Sequence, residues 1–236
     1  MIDPDRHLQI GCLLFEGLDQ IDLTGPFEVL SRIPDSTCRI YAESTAPVRD
    51  IAGLHLMAHA DLAPAPRLDL LHVPGGPGQE ALMEHKAVLD WMRRQAAGAL
   101  CVFSVCTGAL ICGAAGLLKG KRATTHWTAM HLLHHFGAVP VDQRVVEDGD
   151  MLCAAGVTAG IDGALVLAAR LRGEEAAQGI QLTMAYKPEP PFDAGSPERA
   201  PAAVTARMRE MAAELTARRD ATARRVAARL GLAPAA

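Results

Sequence analysis

One stretch of the chain decides its fold: the segment 100–116, which reads LCVFSVCTGALICGAAG. It begins with an apolar run of strand length, Leu100 to Ser104, and ends with small residues, Ala109 to Gly116, that favour a helix. Cys106 lies in the turn between them. The same order of strand, nucleophile and helix occurs in the elbow of the hydrolases. The segment therefore predicts a nucleophile elbow after a central strand.

The position of Cys106 also predicts how its sulfur is activated. A helix N-terminus supplies unpaired N–H groups and the positive end of the helix dipole, and both favour a thiolate over a thiol. The alternative is that Cys106 is a small, buried and inert residue, which is the usual role of a cytosolic cysteine.

The composition indicates one globular domain. The chain has 236 residues, of which 50% are hydrophobic, and this is enough to bury a substantial core. The formal net charge of −4 gives no reason to expect nucleic acid or an anionic membrane as a partner. No apolar stretch of the sequence approaches the length of a membrane span.

The cysteines indicate a reducing compartment. The chain has 6 of them, and none forms a C-x-x-C pair. Several lie in apolar runs that are typical of buried elements, and the polar segment Met1 to His7 does not resemble the start of a signal peptide. We therefore expect free thiols and a cytoplasmic protein.

Apolar runs without strict alternation predict strands that are covered on both faces. Strands and shorter extended segments are predicted at 8–15, 39–42, 51–57, 68–73, 100–104, 124–125, 144–147 and 151–154. Helices are predicted at 26–31, 79–97, 109–116, 128–136, 161–171, 174–186 and 203–230. Because strands alternate with helices, we expect an α/β three-layer sandwich with a mostly parallel, flavodoxin-like central sheet. The proline-rich connection 187–201 and the helical C-terminal tail would extend one domain, 1–236.

Three strand ends carry residues suited to chemistry. The first strand leads to Asp22, the third ends in Gly75 and Gly76, and the fourth ends at Cys106. In an open parallel sheet ligands bind at the carboxyl ends of the strands, so these residues are expected to share one site. Asp22, shortly before Pro26, suits a helix N-cap. Beside a thiolate it would instead have a raised pKa and act as a general acid.

The residues around Cys106 also have two interpretations each. Gly75 and Gly76 would let the backbone approach a ligand closely, and their N–H groups with that of Thr107 form a candidate anion hole. A plain strand-to-helix turn explains the two glycines as well. Thr107 either caps the helix or offers its hydroxyl to the substrate or the sulfur.

Other polar groups have plainer interpretations. His126 is the nearest candidate for a general base, but packing or a supporting role is preferred. His131 and His135 have the i, i+4 spacing of metal ligands, but no third ligand accompanies them and a solvated cluster is favoured. The arginine pairs 218/219 and 224/225 predict a solvated helix face or a dimer rim.

The motifs Val73-Pro74-Gly75-Gly76 and Ser104-Val105-Cys106-Thr107-Gly108 resemble the PfpI-type branch of the class I glutamine amidotransferase-like superfamily. The resemblance narrows to the bacterial isocyanide (isonitrile) hydratases, and it extends from about Gln9 to Leu230. The segments that narrow it are 19–26 (DQIDLTGP), 113–118 (GAAGLL), 120–127 (GKRATTHW) and 190–197 (PPFDAGSP). Part of the first segment, 22–26, is shared with the amidotransferase-like domains of AraC-type regulators.

The resemblance implies a site and a reaction. Cys106 would be the nucleophile, Asp22 the acid beside it and Thr107 an essential neighbour, with the loop from Ala154 to Thr158 over the pocket and Val157 close to the sulfur. The implied reaction adds water to an isocyanide and gives an N-substituted formamide through a thioimidate on Cys106. A homodimer is also implied, with no metal and no organic cofactor.

Two other functions stay open. PfpI-type proteases carry a histidine directly after the cysteine, where this chain has Thr107, and this weakens a protease interpretation. A glyoxalase III or deglycase-like enzyme would use the same cysteine on carbonyl adducts. A ligand- or redox-sensing domain related to AraC-type regulators would precede a helix-turn-helix domain of roughly a hundred residues, for which the helical tail is too short.

Overall fold

The protein is described here from a computed structural model of residues 6–232. Residues 1–5 and 233–236 lie outside this range, and so does most of the polar N-terminal segment on which the signal-peptide prediction depends. The described strands are β1 (Leu8–Leu13), β2 (Ser36–Ala42), β3 (Val48–Arg49), β4 (His55–Leu56), β5 (Ala60–Asp61), β6 (Leu70–Val73), β7 (Cys101–Val105), β8 (Arg122–Ala123), β9 (Val139–Pro140), β10 (Val145–Asp148) and β11 (Met151–Ala154).

Seven of these strands form the central sheet, in the spatial order β10-β11-β7-β6-β1-β2-β5. Every pairing in this sheet is parallel except that of β10 with β11, which form an antiparallel hairpin. The strands β6, β7 and β11 are buried along their whole length, as expected for strands with helices on both faces. This confirms the predicted mostly parallel sheet.

The helices form two groups. Within each group the helices pack against one another, and each group packs against the sheet. Helices α1, α5 and α6 form one group, and α2, α3, α4, α7 and a 3-10 helix form the other. Their bounds are α1 Gln20–Leu30, α2 Gln79–Leu82, α3 Lys86–Ala96, α4 Gly108–Ala114, the 3-10 helix Trp127–Phe136, α5 Ala159–Arg172, α6 Glu174–Thr183 and α7 Ala202–Arg229. None of the helices in residues 6–232 has the length and apolarity needed to cross a bilayer.

Several predicted elements differ from the structure. The extended segment predicted at 51–57 forms only the two-residue strand β4, after a turn, and the helix predicted at 128–136 is a 3-10 helix. The helix predicted at 26–31 begins earlier, at Gln20, so Pro26 lies inside it. The helix predicted at 79–97 is divided into α2 and α3. The extended segment predicted at 124–125 is displaced, because β8 pairs with β9 at 122–123.

The topology determines where a ligand can bind. From β1 the chain continues to β2 on one side, whereas β6 and β7 lie on the other side of β1. The order of the strands therefore reverses between β1 and β6, and such a switch point opens a crevice at the carboxyl ends of the strands. The segments that follow β1, β6 and β7 are those that carry Asp22, Gly75, Gly76 and Cys106.

Candidate active site

Cys106 occupies the strained turn that the sequence predicts. It has a φ of 54°, a left-handed conformation that non-glycine residues rarely adopt and that costs about 1–3 kcal/mol. Two hydrogen bonds hold the turn: its N–H donates to the carbonyl of Ala154 over 2.9 Å, and its carbonyl accepts from the Thr125 hydroxyl over 2.7 Å. The residue is only 6% exposed, so its side chain is almost entirely buried.

Asp22 is not the cap of its helix. Asp19 is the N-cap of α1, and its carboxylate accepts from the N–H of Ile21 over 3.3 Å. Asp22 lies in the first turn instead and is completely buried. The capping alternative for Asp22 is therefore wrong, because the helix starts before the proline that suggested its beginning.

Pro26 has a structural consequence for Asp22. A proline in the seventh position of α1 has no N–H to donate to the carbonyl four residues earlier, and that carbonyl belongs to Asp22. His72 from β6 binds it, with Nε2 at 2.9 Å, while Nδ1 lies 3.2 Å from the carbonyl of Phe103. Burial lowers the pKa of His72 to about 4, so the ring is neutral and can donate from only one of its two nitrogens.

The Asp22 carboxyl group faces the end of β6. Its Oδ2 accepts from the N–H of Gly75 over 3.1 Å. The other oxygen, Oδ1, is buried and has no partner with ordinary hydrogen-bond geometry among the described residues. A buried carboxyl oxygen without a donor is a position where a proton is favoured over a charge.

The pKa values of the two side chains are coupled. Burial, followed by the charge of Asp19, raises the pKa of Asp22 to about 7, although hydrogen bonds with Cys106 and Gly75 oppose the shift. Burial, followed by repulsion from Asp22, raises the pKa of Cys106 well above that of a free thiol, against the N–H of Thr107 and the charge of Arg219. The predicted lowering of the cysteine pKa is therefore wrong in its net direction. Near neutral pH the pair carries at most one negative charge.

The two glycines position these groups. A Cβ on Gly75 would lie 2.6 Å from the N of Thr107 and 2.9 Å from Asp22 Oδ2, so no other residue fits there. The N–H of Gly75 binds Asp22, and the N–H of Gly76 binds the Thr107 hydroxyl over 3.1 Å. Both N–H groups are thus engaged within the protein, so they hold the acid and the threonine and are not aimed at an anion as predicted.

The Thr107 hydroxyl makes three hydrogen bonds, two with Gly76 after β6 and one with Arg219. The hydroxyl accepts from the N–H of Gly76, donates to the Gly76 carbonyl over 3.3 Å, and accepts from Nη2 of Arg219 over 3.5 Å. Thr107 occupies the N-cap position of α4, but its side chain makes no capping hydrogen bond with the helix. Its backbone N–H is directed toward the sulfur and opposes the rise in the Cys106 pKa.

Arg219 is the site residue that the sequence interpretation missed. It belongs to α7 and is 5% exposed, not solvated as predicted. Its Nε donates to Gln79 Oε1 over 2.7 Å, and its Nη2 donates to the carbonyl of Gly76 over 3.1 Å. A signal was present, because Arg219 shares the helical face of Ala223 and Val226, which are buried.

Val157 lies at the edge of a cavity of about 1240 Å³. Thr125, Trp127 and α7 contribute to the same lining, and Val157 is half-buried against the core. His126 accepts from the N–H of Thr128 as the cap of the 3-10 helix, which favours its supporting role. Cys106, Asp22 and Thr107 are not among the residues that line this cavity.

The histidines with metal-ligand spacing are not arranged around a common centre. His135 Nε2 lies 2.8 Å from Asp220 Oδ1. Within residues 6–232 no group of three or more histidine, cysteine, aspartate or glutamate side chains converges in a way that could hold a metal ion.

Comparison with known proteins identifies the family of this chain. Residues 9–170 match the model of the DJ-1/PfpI family. The chain belongs to the DJ-1/PfpI family. A crystal structure of a ThiJ/PfpI family protein from Pseudomonas syringae superimposes with a TM-score of 0.90 at 41% identity, over 92% of this chain and 91% of that one.

Two curated relatives give the family resemblance more detail. Isonitrile hydratase from Pseudomonas putida is 49% identical over 95% of this chain and 99% of that protein. The HTH-type transcriptional regulator CdhR from Pseudomonas aeruginosa is 29% identical over 69% of this chain but only 49% of the regulator. The DJ-1/PfpI match ends at residue 170, so α7 and Arg219 lie outside the matched segment.

Proposed function

We propose that this DJ-1/PfpI protein is an isocyanide hydratase, a cysteine-dependent hydro-lyase that converts an isocyanide and water into an N-substituted formamide. The observation that carries the proposal is the buried pair of Cys106 and Asp22, whose carboxyl pKa is about 7. An isocyanide carbon needs a nucleophile and a proton at the same atom, and this pair supplies both. The likeness to the Pseudomonas putida isonitrile hydratase over nearly the whole chain supports the same reaction.

The first step forms a covalent adduct. The Cys106 sulfur attacks the terminal carbon of R–N≡C, and the proton that the pair retains passes through Asp22 to that carbon. A carbon–sulfur bond and a carbon–hydrogen bond form, and one carbon–nitrogen π bond breaks. The product is a thioimidate, Cys106–S–CH=N–R, beside an ionised Asp22.

The second step hydrolyses the adduct. The Asp22 carboxylate takes a proton from water while the oxygen attacks the thioimidate carbon, and Asp22 passes this proton to the nitrogen as the C=N π bond breaks. When the tetrahedral intermediate collapses, the carbon–oxygen double bond forms, the hydroxyl proton passes to Asp22, and the carbon–sulfur bond breaks to expel the thiolate. The products are R–NH–CHO and the original pair, with one proton shared between sulfur and carboxyl.

The other predicted site residues support this pair. Gly75 binds the Asp22 carboxyl group, and Gly76 binds the Thr107 hydroxyl. Thr107 directs its N–H toward the sulfur, and Val157, in the loop after β11, lines the cavity of about 1240 Å³. The reaction assigned to these groups requires no metal and no organic cofactor.

Turnover of a small aliphatic isocyanide tests the proposal. Purified protein should release the formamide, detected by mass spectrometry, and Cys106→Ala should release none. Methylglyoxal is the parallel substrate for a glyoxalase III or deglycase-like enzyme. Consumption of methylglyoxal without any formamide from the isocyanide would assign the protein to that alternative, and absence of turnover on both would favour a sensing domain like part of the regulator CdhR.

The proposal also includes a homodimer in the cytoplasm. Val204, Met208 and Met211 are exposed at i, i+4 and i+7 on one face of α7, and this apolar stripe suits a second copy of the chain. All 6 cysteines are free, which suits a reducing compartment. We treat 1–236 as one domain because Ala223 and Val226 of α7 join the main core.

A further inference from the structure

Arg219 is a buried cation without a carboxylate partner among the described residues. Its three hydrogen-bond partners are neutral: Gln79 Oε1, the Gly76 carbonyl and the Thr107 hydroxyl. The adjacent Arg218 differs, since it is half exposed and forms an ion pair with Glu214 at 2.6 Å. Burying a charge costs several kcal/mol unless an opposite charge is near, so the missing anion has to be identified.

The nearest candidates for that anion are few. Glu80 favours the charged form of Arg219, but its carboxylate binds the Thr222 hydroxyl. Cys106 favours the charged form of Arg219 more than Glu80 does. In return, Arg219 is the one cation that opposes the rise in the Cys106 pKa. Arg219 also donates to the Gly76 carbonyl and to the hydroxyl of Thr107, the residue that follows Cys106, so its charge lies close to the elbow.

We propose that Arg219 is the cationic positioning residue of the Cys106 site. Its guanidinium fixes the Thr107 hydroxyl and the Gly76 carbonyl, and its charge stabilises the thiolate that forms when the thiol loses its proton and again when the thioimidate collapses. The inference rests on Cys106 being the nucleophile of the proposed function. It assigns to α7, outside the matched family segment, a part in the chemistry.

The hydrogen bonds explain why an arginine is needed here. One guanidinium donates at once to Gln79 on α2, to the Gly76 carbonyl after β6 and to Thr107 at the start of α4. Lysine has a single ammonium group and lacks this planar fork. Because Thr107 is held by Gly76 and Arg219 together, its N–H stays aligned with the sulfur.

Charged groups act on the pair from α1 and α7. Asp22 and Asp19 from α1 are acidic and raise the pKa of their neighbours. At the start of the 3-10 helix, burial and the charge of Arg219 lower the pKa of His126, which disfavours a positive charge on this ring. Removal of the Arg219 charge should therefore shift the ionisation of Cys106 upward, since no other cation replaces it in the described site.

The test is the pH dependence of Cys106 alkylation by iodoacetamide, followed on the Cys106 peptide by mass spectrometry. This readout does not depend on isocyanide turnover. Arg219→Gln should raise the midpoint of alkylation by about one pH unit or more, as expected for loss of a nearby opposite charge. Arg219→Lys should retain a midpoint near that of the native protein, and Arg218→Ala is the matched control with no shift.

A second variant covers the case in which Arg219→Gln does not fold. Gln79→Glu leaves Arg219 in place but pairs its charge, and it should also raise the midpoint. An unchanged midpoint in Gln79→Glu, and in folded Arg219→Gln, would overturn the proposal, as would an equal shift in Arg218→Ala. A raised midpoint in Arg219→Gln, found together with no isocyanide turnover by the native protein, would sustain the role of Arg219 and contradict only the proposed function.

Discussion

The carboxyl edge of the sheet and the C-terminal helix α7 both reach Thr107, but they hold the site by different means. The sheet edge supplies Cys106, Asp22 and Gly75, whose positions are set by backbone geometry at strand ends and by contacts too close for any added atom. Helix α7 supplies one long side chain, Arg219, across the top of the β6 loop. The edge carries the reacting groups, and the helix adjusts their charge and alignment.

This difference predicts unequal consequences. Changes at the edge remove a reacting atom or displace one by a large fraction of an ångström. Changes on α7 alter a pKa or an orientation and leave the reacting atoms present. A graded loss of function, steep at the edge and shallow on the helix, is what distinguishes this arrangement from one in which all site residues contribute equally.

The largest effect is expected from the reacting pair. Cys106→Ala and Asp22→Asn should each reduce formamide production at least about 10³-fold, because the covalent step and its proton transfer are both lost. Asp90→Asn is the matched control, because Asp90 lies on α3 and pairs with Lys86 and Arg93. Retention of more than a tenth of native turnover in either pair variant, measured on folded protein, would remove that residue from the reaction.

A smaller loss is expected from crowding of the edge. Gly75→Ala would place a Cβ against the Thr107 nitrogen and Asp22 Oδ2, and these backbone-fixed groups would have to move. We expect a decrease in kcat/KM of about 10²-fold, as for other displacements near 1 Å. Gly179→Ala on α6 is the control, since its Cβ meets nothing within 4 Å. Equal kcat/KM for the two variants would show that the edge tolerates displacement.

The buried carboxyl group should also limit stability. Its pKa in the folded protein is raised from 3.8 to about 7, because the folded state favours the protonated carboxyl group. The contribution of this group to the unfolding free energy is therefore fully present below pH 4 and is lost as the pH rises through 7. Asp22→Asn escapes this loss and should be more stable than the native protein at pH 8, by up to about 4 kcal/mol. Urea unfolding at pH 5 and pH 8 measures it, and a difference that does not grow with pH would contradict the raised pKa.

His72 should produce the opposite pH dependence. Its folded pKa is lowered from 6.5 to about 4, so its contribution is present above pH 6.5 and is lost as pH falls toward 4. This loss of unfolding free energy amounts to about 3 kcal/mol. In the native protein it is offset by Asp22, whose contribution increases as the pH falls from 7 to 4. Asp22→Asn removes the offset, so its unfolding free energy should fall between pH 6.5 and pH 4. A flat profile there would mean that His72 is not held neutral.

The smallest effect is expected at the outer rim of α7. Arg225 and Arg229 both pair with Glu84, at 2.8 and 2.6 Å, and all three side chains are partly exposed. Glu84→Gln should cost about 1 kcal/mol of unfolding free energy and leave kcat/KM unchanged, because exposed ion pairs contribute little. A loss of turnover in Glu84→Gln would show that the outer face of α7 also acts on the site.

The sheet edge was predictable because its signals are local. An apolar run, a double glycine or a cysteine at a strand end can be recognised within ten residues, and the rule for parallel sheets brings Gly75 and Cys106 to one edge. The Asp22 position was predicted although its helix was misplaced, since Pro26 suggested a helix start and the structure places it inside α1. The freed Asp22 carbonyl and its partner His72 are 50 residues apart, a contact that no local pattern encodes.

Arg219 was missed for a different reason. Arg218 and Arg219 are adjacent in α7, so one of them can face inward while the other faces solvent. The sequence of α7 does not indicate what the helix packs against. The inward position of Arg219 is explained by its hydrogen bonds to Gln79, Gly76 and Thr107, which come from distant parts of the chain. Long-range polar contacts of this kind depend on the assembled fold.

The covalent adduct on Cys106 is the most direct test of the account. Native protein is mixed with a small aliphatic isocyanide, quenched in acid within the first turnovers and analysed by intact mass. The account predicts an added mass equal to one isocyanide, located on the Cys106 peptide and absent in Cys106→Ala. Formamide release without any such adduct, or an adduct of the same size in Cys106→Ala, would contradict it.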